Sequence, residues 1–150
     1  MKINFVCMGN ICRSPMAEYV MKDLVEKAGL SEKISVQSSG CHATEFSQIS
    51  SGTCYELTLH NIPVDPYRVS KKFTRADYKN CDMIIGMDAE NIYDIRKIAG
   101  GDPDNKVFLM MSFCGENRDV DDPYFTDKYD VAYKDISRAC TALLKKISQS

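Results

Sequence analysis

Cys7 to Ser14 reads Cys-Met-Gly-Asn-Ile-Cys-Arg-Ser, placing a cysteine six residues before an arginine. The apolar Ile3, Phe5 and Val6 predict a buried strand before it, and Ser14-Pro15 supplies the residue types favoured at a helix N-cap and first helical position. A loop that ends at a helix N-terminus offers an oxyanion unpartnered N–H groups and partial positive charge. Gly9 is expected to let the chain approach that anion closely, and Arg13 to grip two of its oxygens with a planar fork of donors. Cys7 shares the same electropositive cup, where N–H groups, Arg13 and the Ser14 hydroxyl favour the thiolate, the form that attacks. The chemistry implied is nucleophilic displacement at the phosphorus of a phosphate ester. Spacing alone is weak; the strand before, the glycine within and the amphipathic helix after give it weight. A nucleotide-binding loop fits poorly, because no Gly-Lys-Ser/Thr is present.

Expelling the alkoxide or phenoxide of such an ester is faster when a positioned acid protonates it, typically by about 10²–10⁴-fold. Asp122, in Asp121-Asp122-Pro123-Tyr124-Phe125, is the candidate, with Asp121 in reserve; Pro123 stiffens the backbone that carries it. Tyr124 and Phe125 are expected to wall one side of an aryl substrate.

These residues need a scaffold. Met16, Ala17, Val20, Met21, Leu24, Val25 and Ala28 recur at helical spacing with Gly29 as the stop. A second strand is expected over Ile34 to Val36, then a long surface loop over Gln37 to Ser51. Helices are expected over Thr53 to His60 and over Thr74 to Asn80, the second capped by Thr74. A central strand follows from Cys81 to Met87, then a helix capped by Asp88 and closed by Gly100-Gly101, a fourth strand from Val107 to Met110, and a last amphipathic helix from Val131 to Ile147. Strands alternating with helices predict an α/β fold: one three-layer domain over residues 1–150, with a four-stranded parallel twisted sheet flanked by helices on both faces. Such sheets bind ligands at the carboxyl ends of their strands, where the Cys7 loop falls.

A length of 150 residues suits a single core, and a net charge of −2 gives no general attraction for nucleic acid or acidic membranes. The absence of a signal-peptide pattern and of a membrane-length apolar run points to a cytosolic protein. Seven cysteines without a Cys-x-x-Cys pair argue against a disulfide scaffold and against zinc, so no metal or cofactor is expected. Cys12 is either a structural thiol or a partner that traps Cys7 in a reversible disulfide; spacing leaves both open.

Cys7 to Pro15 near the N-terminus, with Asp122-Pro123-Tyr124 near the C-terminus, resembles the low-molecular-weight protein tyrosine phosphatases over nearly the whole chain. The resemblance implies a phosphocysteine at Cys7, phosphoryl binding by Arg13 and by the loop from Met8 through Gly9, Asn10, Ile11 and Cys12, and acid then base catalysis by Asp122. It assigns supporting roles to Asn10, Ser14, Ser38 and Asp88, a structural role to His60, and redox partnership to Cys12. The substrates implied are phosphotyrosine proteins and small aryl phosphates, with phosphate as product inhibitor. A monomer is expected, with Tyr124 and Phe125 the place for weak self-association. One departure stands out: Thr44 lies where the family carries an aromatic cleft wall, so Thr44, Glu45 and Phe46 are the expected but altered wall. His42 reads as a hydrogen-bonding loop residue.

Three rivals have distinct signatures. An arsenate reductase on this scaffold needs two relay cysteines beyond the loop; Cys81 has no partner from Asp82 through Lys97. A phosphocysteine carrier needs no Asp-Pro acid loop, and a non-catalytic phosphotyrosine-binding module is expected to lack Cys7 or Asp122.

Overall fold

Along the first strand, Ile3, Phe5 and Cys7 face one core and Val6 the other, the period-two alternation of a strand covered on both sides. The computed structural model describes residues 1–149. Its strands are β1 (Lys2–Cys7), β2 (Ser35–Gly40), β3 (Met83–Gly86) and β4 (Val107–Leu109). They form one parallel sheet in the order β2-β1-β3-β4. Its helices are α1 (Arg13–Lys27), α2 (Ser51–Leu59), α3 (Arg75–Asn80), α4 (Ala89–Ala99), a short α5 (Pro123–Thr126) and α6 (Tyr129–Ser148), with a 3-10 turn at Met110–Cys114.

The larger core joins Phe5 and Ile85 to Met16, Val20 and Met21 of α1 and to Ile136, Ala139 and Leu143 of α6. The smaller one joins Val6 and Ile84 to Tyr78 of α3 and to Ile95 and Ala99 of α4. Chain order reverses between β1 and β3, so their carboxyl ends bound the crevice where parallel sheets hold ligands. Cys7 closes β1, and Asp88 stands just beyond β3.

Several boundaries differ from expectation: β3 is confined to Met83–Gly86 within the expected Cys81 to Met87, and β4 stops at Leu109. The second strand starts at Ser35, beyond Ile34, and runs through Ser38 and Ser39 to Gly40, where a polar loop was expected. Those serines are buried yet bonded, Ser38 Oγ donating to Glu18 and Ser39 Oγ to Asn4 Oδ1, so burial carries no desolvation cost that hydropathy would register. Helix α1 begins at Arg13 with Cys12 as its N-cap and no side-chain cap, so Ser14 and Pro15 sit inside the first turn. A capping oxygen would occupy the N–H groups that an anion needs. Helix α2 starts two residues early because Ser50 accepts from the Thr53 amide. Thr74 and Asp88 cap α3 and α4 as expected, and Gly100 ends α4 in the left-handed region.

The connection into β4 is held by Asp102, whose carboxylate accepts from Tyr78 Oη at 2.7 Å and from the amides of Lys106 and Val107 at 2.8 and 3.2 Å. Partial burial pushes its pKa up, but these hydrogen bonds outweigh that and leave it lowered. Its contribution to stability is therefore present above the unfolded-state value and is lost as pH falls through the lower folded one. Replacing Asp102 by Ala is expected to remove about 1–2 kcal/mol at neutral pH. In urea titrations, the difference from wild type should shrink in acid; a difference that holds constant would assign the loss to packing.

Candidate active site

The loop between β1 and α1 turns its carbonyls outward. Cys7 O accepts from the Cys41 amide, Met8 O from His42, Ile11 O from Ser50 and Cys12 O from Met16, at 2.8–3.2 Å. Asn10 O accepts from Arg68 Nη1 at 2.8 Å, and Cys12 O also from Thr53 Oγ1. Each trans peptide sets its N–H opposite its carbonyl, so the amides of Met8, Gly9, Ile11, Cys12 and Arg13 turn away from these donors. Amides turned from the carbonyl side in this way are what an anion cradle requires.

Asn10 makes the turn possible with φ +56°, a left-handed conformation that asparagine tolerates better than most residues. It is locked from every side. Its Nδ2 donates to Ser14 Oγ at 2.8 Å and Ser38 Oγ at 2.9 Å, and its Oδ1 accepts from the Lys71 amide at 3.0 Å. Cys7 Sγ lies 2.9 Å from Ser14 Oγ and accepts from the Asn10 amide at 3.3 Å. The Asn10 amide is thus a donor aimed at the sulfur. Within the protein, the tightest backbone approach to this loop falls at Gly40. A Cβ on Gly9 would meet nothing closer than Ile11 Cγ1 at 3.7 Å, whereas one on Gly40 would lie 2.7 Å from Met8 O and 2.9 Å from Asn10 N.

Arg13, 2% exposed, donates through Nη1 to Asp88 Oδ2 at 2.7 Å and to Val120 O at 2.8 Å, and through Nη2 to Asp122 Oδ2 at 3.3 Å. Burial disfavours its charge, but Cys7, Asp88 and Asp122 outweigh that and push its pKa up. Its Nε is buried without a hydrogen-bond partner among the described residues, a donor left for a ligand to satisfy. Asp88 both caps α4, accepting from the Asn91 amide, and orients Arg13. The acid loop is pinned beside it: buried Val120 donates its amide to Met87 O, and Asp119 Oδ1 accepts from the Ala89 amide. Asp122 caps α5, its Oδ1 accepting from the Tyr124 amide at 3.1 Å with Pro123 as first helical residue. Asp121 points to solvent.

Arg13, Asp88 and Asp122 meet in a pocket of about 200 Å³ lined also by Met8, Glu90, Asn91, Asp94 and Phe125; Cys7 is next to Met8 in the chain but not in this lining. Tyr124 and Phe125 pack edge to face at 5.2 Å; Phe125 lines the pocket and Tyr124 does not. Thr44, Glu45 and Phe46 are exposed and lie outside its lining, Phe46 at 78% exposure with φ +65°. His42 Nε2 lies 3.0 Å from Asp94 Oδ2 on the exposed surface, and His60 stacks on Tyr133 at 3.7 Å. Among the described residues no group of His, Cys, Asp and Glu is arranged to hold a metal ion.

Cys12 is buried behind the loop. Its Sγ donates to Ser50 Oγ at 3.3 Å and lies 3.7 Å from Tyr129 Oη, and burial pushes its pKa up. Sequence reading missed two loop supports: Arg68 also reaches Ser38 Oγ at 3.3 Å, and Ser38 donates to the buried Glu18. A carboxylate on the apolar face of α1 was the one available signal, since Arg68 sits in a polar stretch without periodicity.

Fold and site together define a phosphate-handling α/β enzyme with a cysteine in its anion loop. A family model for the low molecular weight phosphotyrosine protein phosphatases matches residues 2–150. Low molecular weight protein-tyrosine-phosphatase YfkJ of Bacillus subtilis is 34% identical over 148 residues, covering 97% of this chain and 94% of its own. The YfkJ crystal structure superposes with a TM-score of 0.94, covering 99% of this chain and 95% of its own. The phosphatase of the same description from Schizosaccharomyces pombe is 35% identical over 127 residues, covering 83% and 81%. A mutant of the YwlE arginine phosphatase with a phosphorylated active site serine is 27% identical, with a TM-score of 0.89 over 100% of this chain and 97% of its own. The chain belongs to the low molecular weight phosphotyrosine protein phosphatase family. Among the described residues no helix is long and apolar enough to cross a membrane.

Proposed function

We propose that the protein hydrolyses phosphotyrosine and small aryl phosphate monoesters through a phosphocysteine on Cys7, without a metal or other cofactor. The Cys7 thiolate attacks phosphorus in line while the inward amides and Arg13 hold the equatorial oxygens. The phosphoryl dianion competes with Asp122 for Arg13, and Asp122, protonated, passes its proton to the departing phenolate. The resulting carboxylate then takes a proton from water, which attacks phosphocysteine and releases phosphate and the thiolate. One observation carries this reading: a buried arginine with an unpartnered Nε joins the nucleophile's loop to the carboxylate of Asp122. The phosphorylated active site serine of the YwlE mutant supports covalent phosphorylation in this fold. Phosphate, the product, is expected to inhibit competitively, and the monomer is the working unit, acting in the cytoplasm.

Turnover of p-nitrophenyl phosphate in excess chelator tests the reading, with Cys7→Ser and Asp122→Ala as controls and phosphoarginine assayed alongside. Chelator-sensitive turnover would overturn it, and phosphoarginine turned over faster than phosphotyrosine would overturn the substrate assignment.

Redox sensitivity belongs to the same proposal. Peroxide oxidises the Cys7 thiolate to a sulfenic acid, and the Cys12 thiol displaces water from it to form a disulfide. With its pKa raised by burial, Cys12 stays protonated and is itself slow to react with peroxide. Peroxide should therefore inactivate the wild type reversibly, with thiol reductant restoring activity. A Cys12→Ser variant that recovers as fully would remove Cys12 from this role.

A further inference from the structure

The pocket floor is cationic and its rim is not. Arg13 is the only cation in the lining, and it already faces the carboxylates of Asp88 and Asp122. The rim adds Glu90 and Asp94, a like-charge pair one helical turn apart on α4, of which Glu90 also lies in the first turn, where the helix dipole favours it. Asp88 already caps this helix, so the rim charges are not needed for that. Asp94 is met across the mouth by His42. Glu90 has no ion pair or hydrogen bond among the described residues and stands exposed at the mouth.

Resting on the phosphatase reading above, we propose that this mouth selects phosphotyrosine flanked by lysine or arginine, and that Glu90 is a specificity-determining residue. The buried, unpartnered Nε of Arg13 fixes where the anion sits, and the carboxylates around it fix where a cation belongs. A bare aryl phosphate dianion must enter against these charges; a peptide that brings an ammonium or guanidinium beside its phosphotyrosine answers them. The interaction is exposed, so its contribution is modest and screened by salt.

The test is kcat/KM on three phosphotyrosine peptides of equal length whose flanking residues are lysine, alanine or glutamate, with p-nitrophenyl phosphate alongside. At low ionic strength the order lysine, alanine, glutamate is expected, with about a three- to tenfold span that contracts in high salt. Glu90→Gln should narrow the span, and Glu90→Lys should reverse its order. A flat series with p-nitrophenyl phosphate still hydrolysed would overturn this proposal alone. A span that Glu90→Lys leaves unchanged would overturn the role of Glu90. Failure on p-nitrophenyl phosphate and all three peptides would speak against the phosphatase mechanism on which the proposal rests.

Discussion

Replacing Cys7 by serine is expected to lower the turnover of p-nitrophenyl phosphate by more than about 10³-fold, the scale on which a nucleophile acting as part of a unit is lost. The substitution exchanges one sulfur for one oxygen at a buried position. The Asn10 amide and Ser14 Oγ still find a partner there, so the loop should keep its shape and the thermal midpoint should move little. What disappears is the anion: the surroundings that stabilise a thiolate cannot ionise a hydroxyl that holds its proton so much more tightly. Phosphate should still bind, since Arg13 and the inward amides are untouched. Steady-state turnover combined with phosphate binding by calorimetry separates the outcomes. Binding retained with turnover lost identifies Cys7 as the nucleophile, whereas turnover retained would require another attacking group.

That residue and Asp122 were legible in the sequence because each declares itself through neighbours in the chain. Cys7 is read with Arg13 six positions on, and Asp122 with Pro123. Asp88 was legible as a cap, but its grip on Arg13 at 2.7 Å was not, because β3 and β1 become neighbours only through the crossover of the sheet. The polar end of β2 was hidden for a related reason. Ser38 and Ser39 read as loop until Glu18, Asn10 and Asn4, distant in sequence, are seen to satisfy them. Arg68 is the extreme case, since its hold on Asn10 O spans 58 positions and follows from no local pattern. The walls of the pocket were the least legible part. They depend on which face of α4 turns to the mouth, and Glu90 and Asp94 line it there, whereas Thr44, Glu45 and Phe46, the wall expected from the loop after β2, do not.

The second large effect falls on Asp122→Ala, which should lower kcat on phosphotyrosine by about 10²–10⁴-fold, the range of a lost general acid. Three further signatures distinguish this role from a merely structural one. Asp122 shares Arg13 with the incoming phosphoryl group, at 3.3 Å from Nη2, so removing its charge removes a competitor for the guanidinium. KM should therefore fall along with kcat, the pattern of a residue whose interaction is costly in the ground state and needed in the transition state. The loss should also depend on the leaving group. An aryl oxide that departs readily without a proton needs the acid less, so a series of substituted phenyl phosphates should show a steeper dependence of rate on phenol acidity in the variant than in the wild type. Over the same pH range, the limb of the kcat/KM profile that reports the protonated acid should disappear. A variant that loses rate equally across the series, with its pH profile and KM unchanged, would place the proton elsewhere. Asp122 would then be a positioning residue for Arg13, acting through the same contact from the opposite side to Asp88.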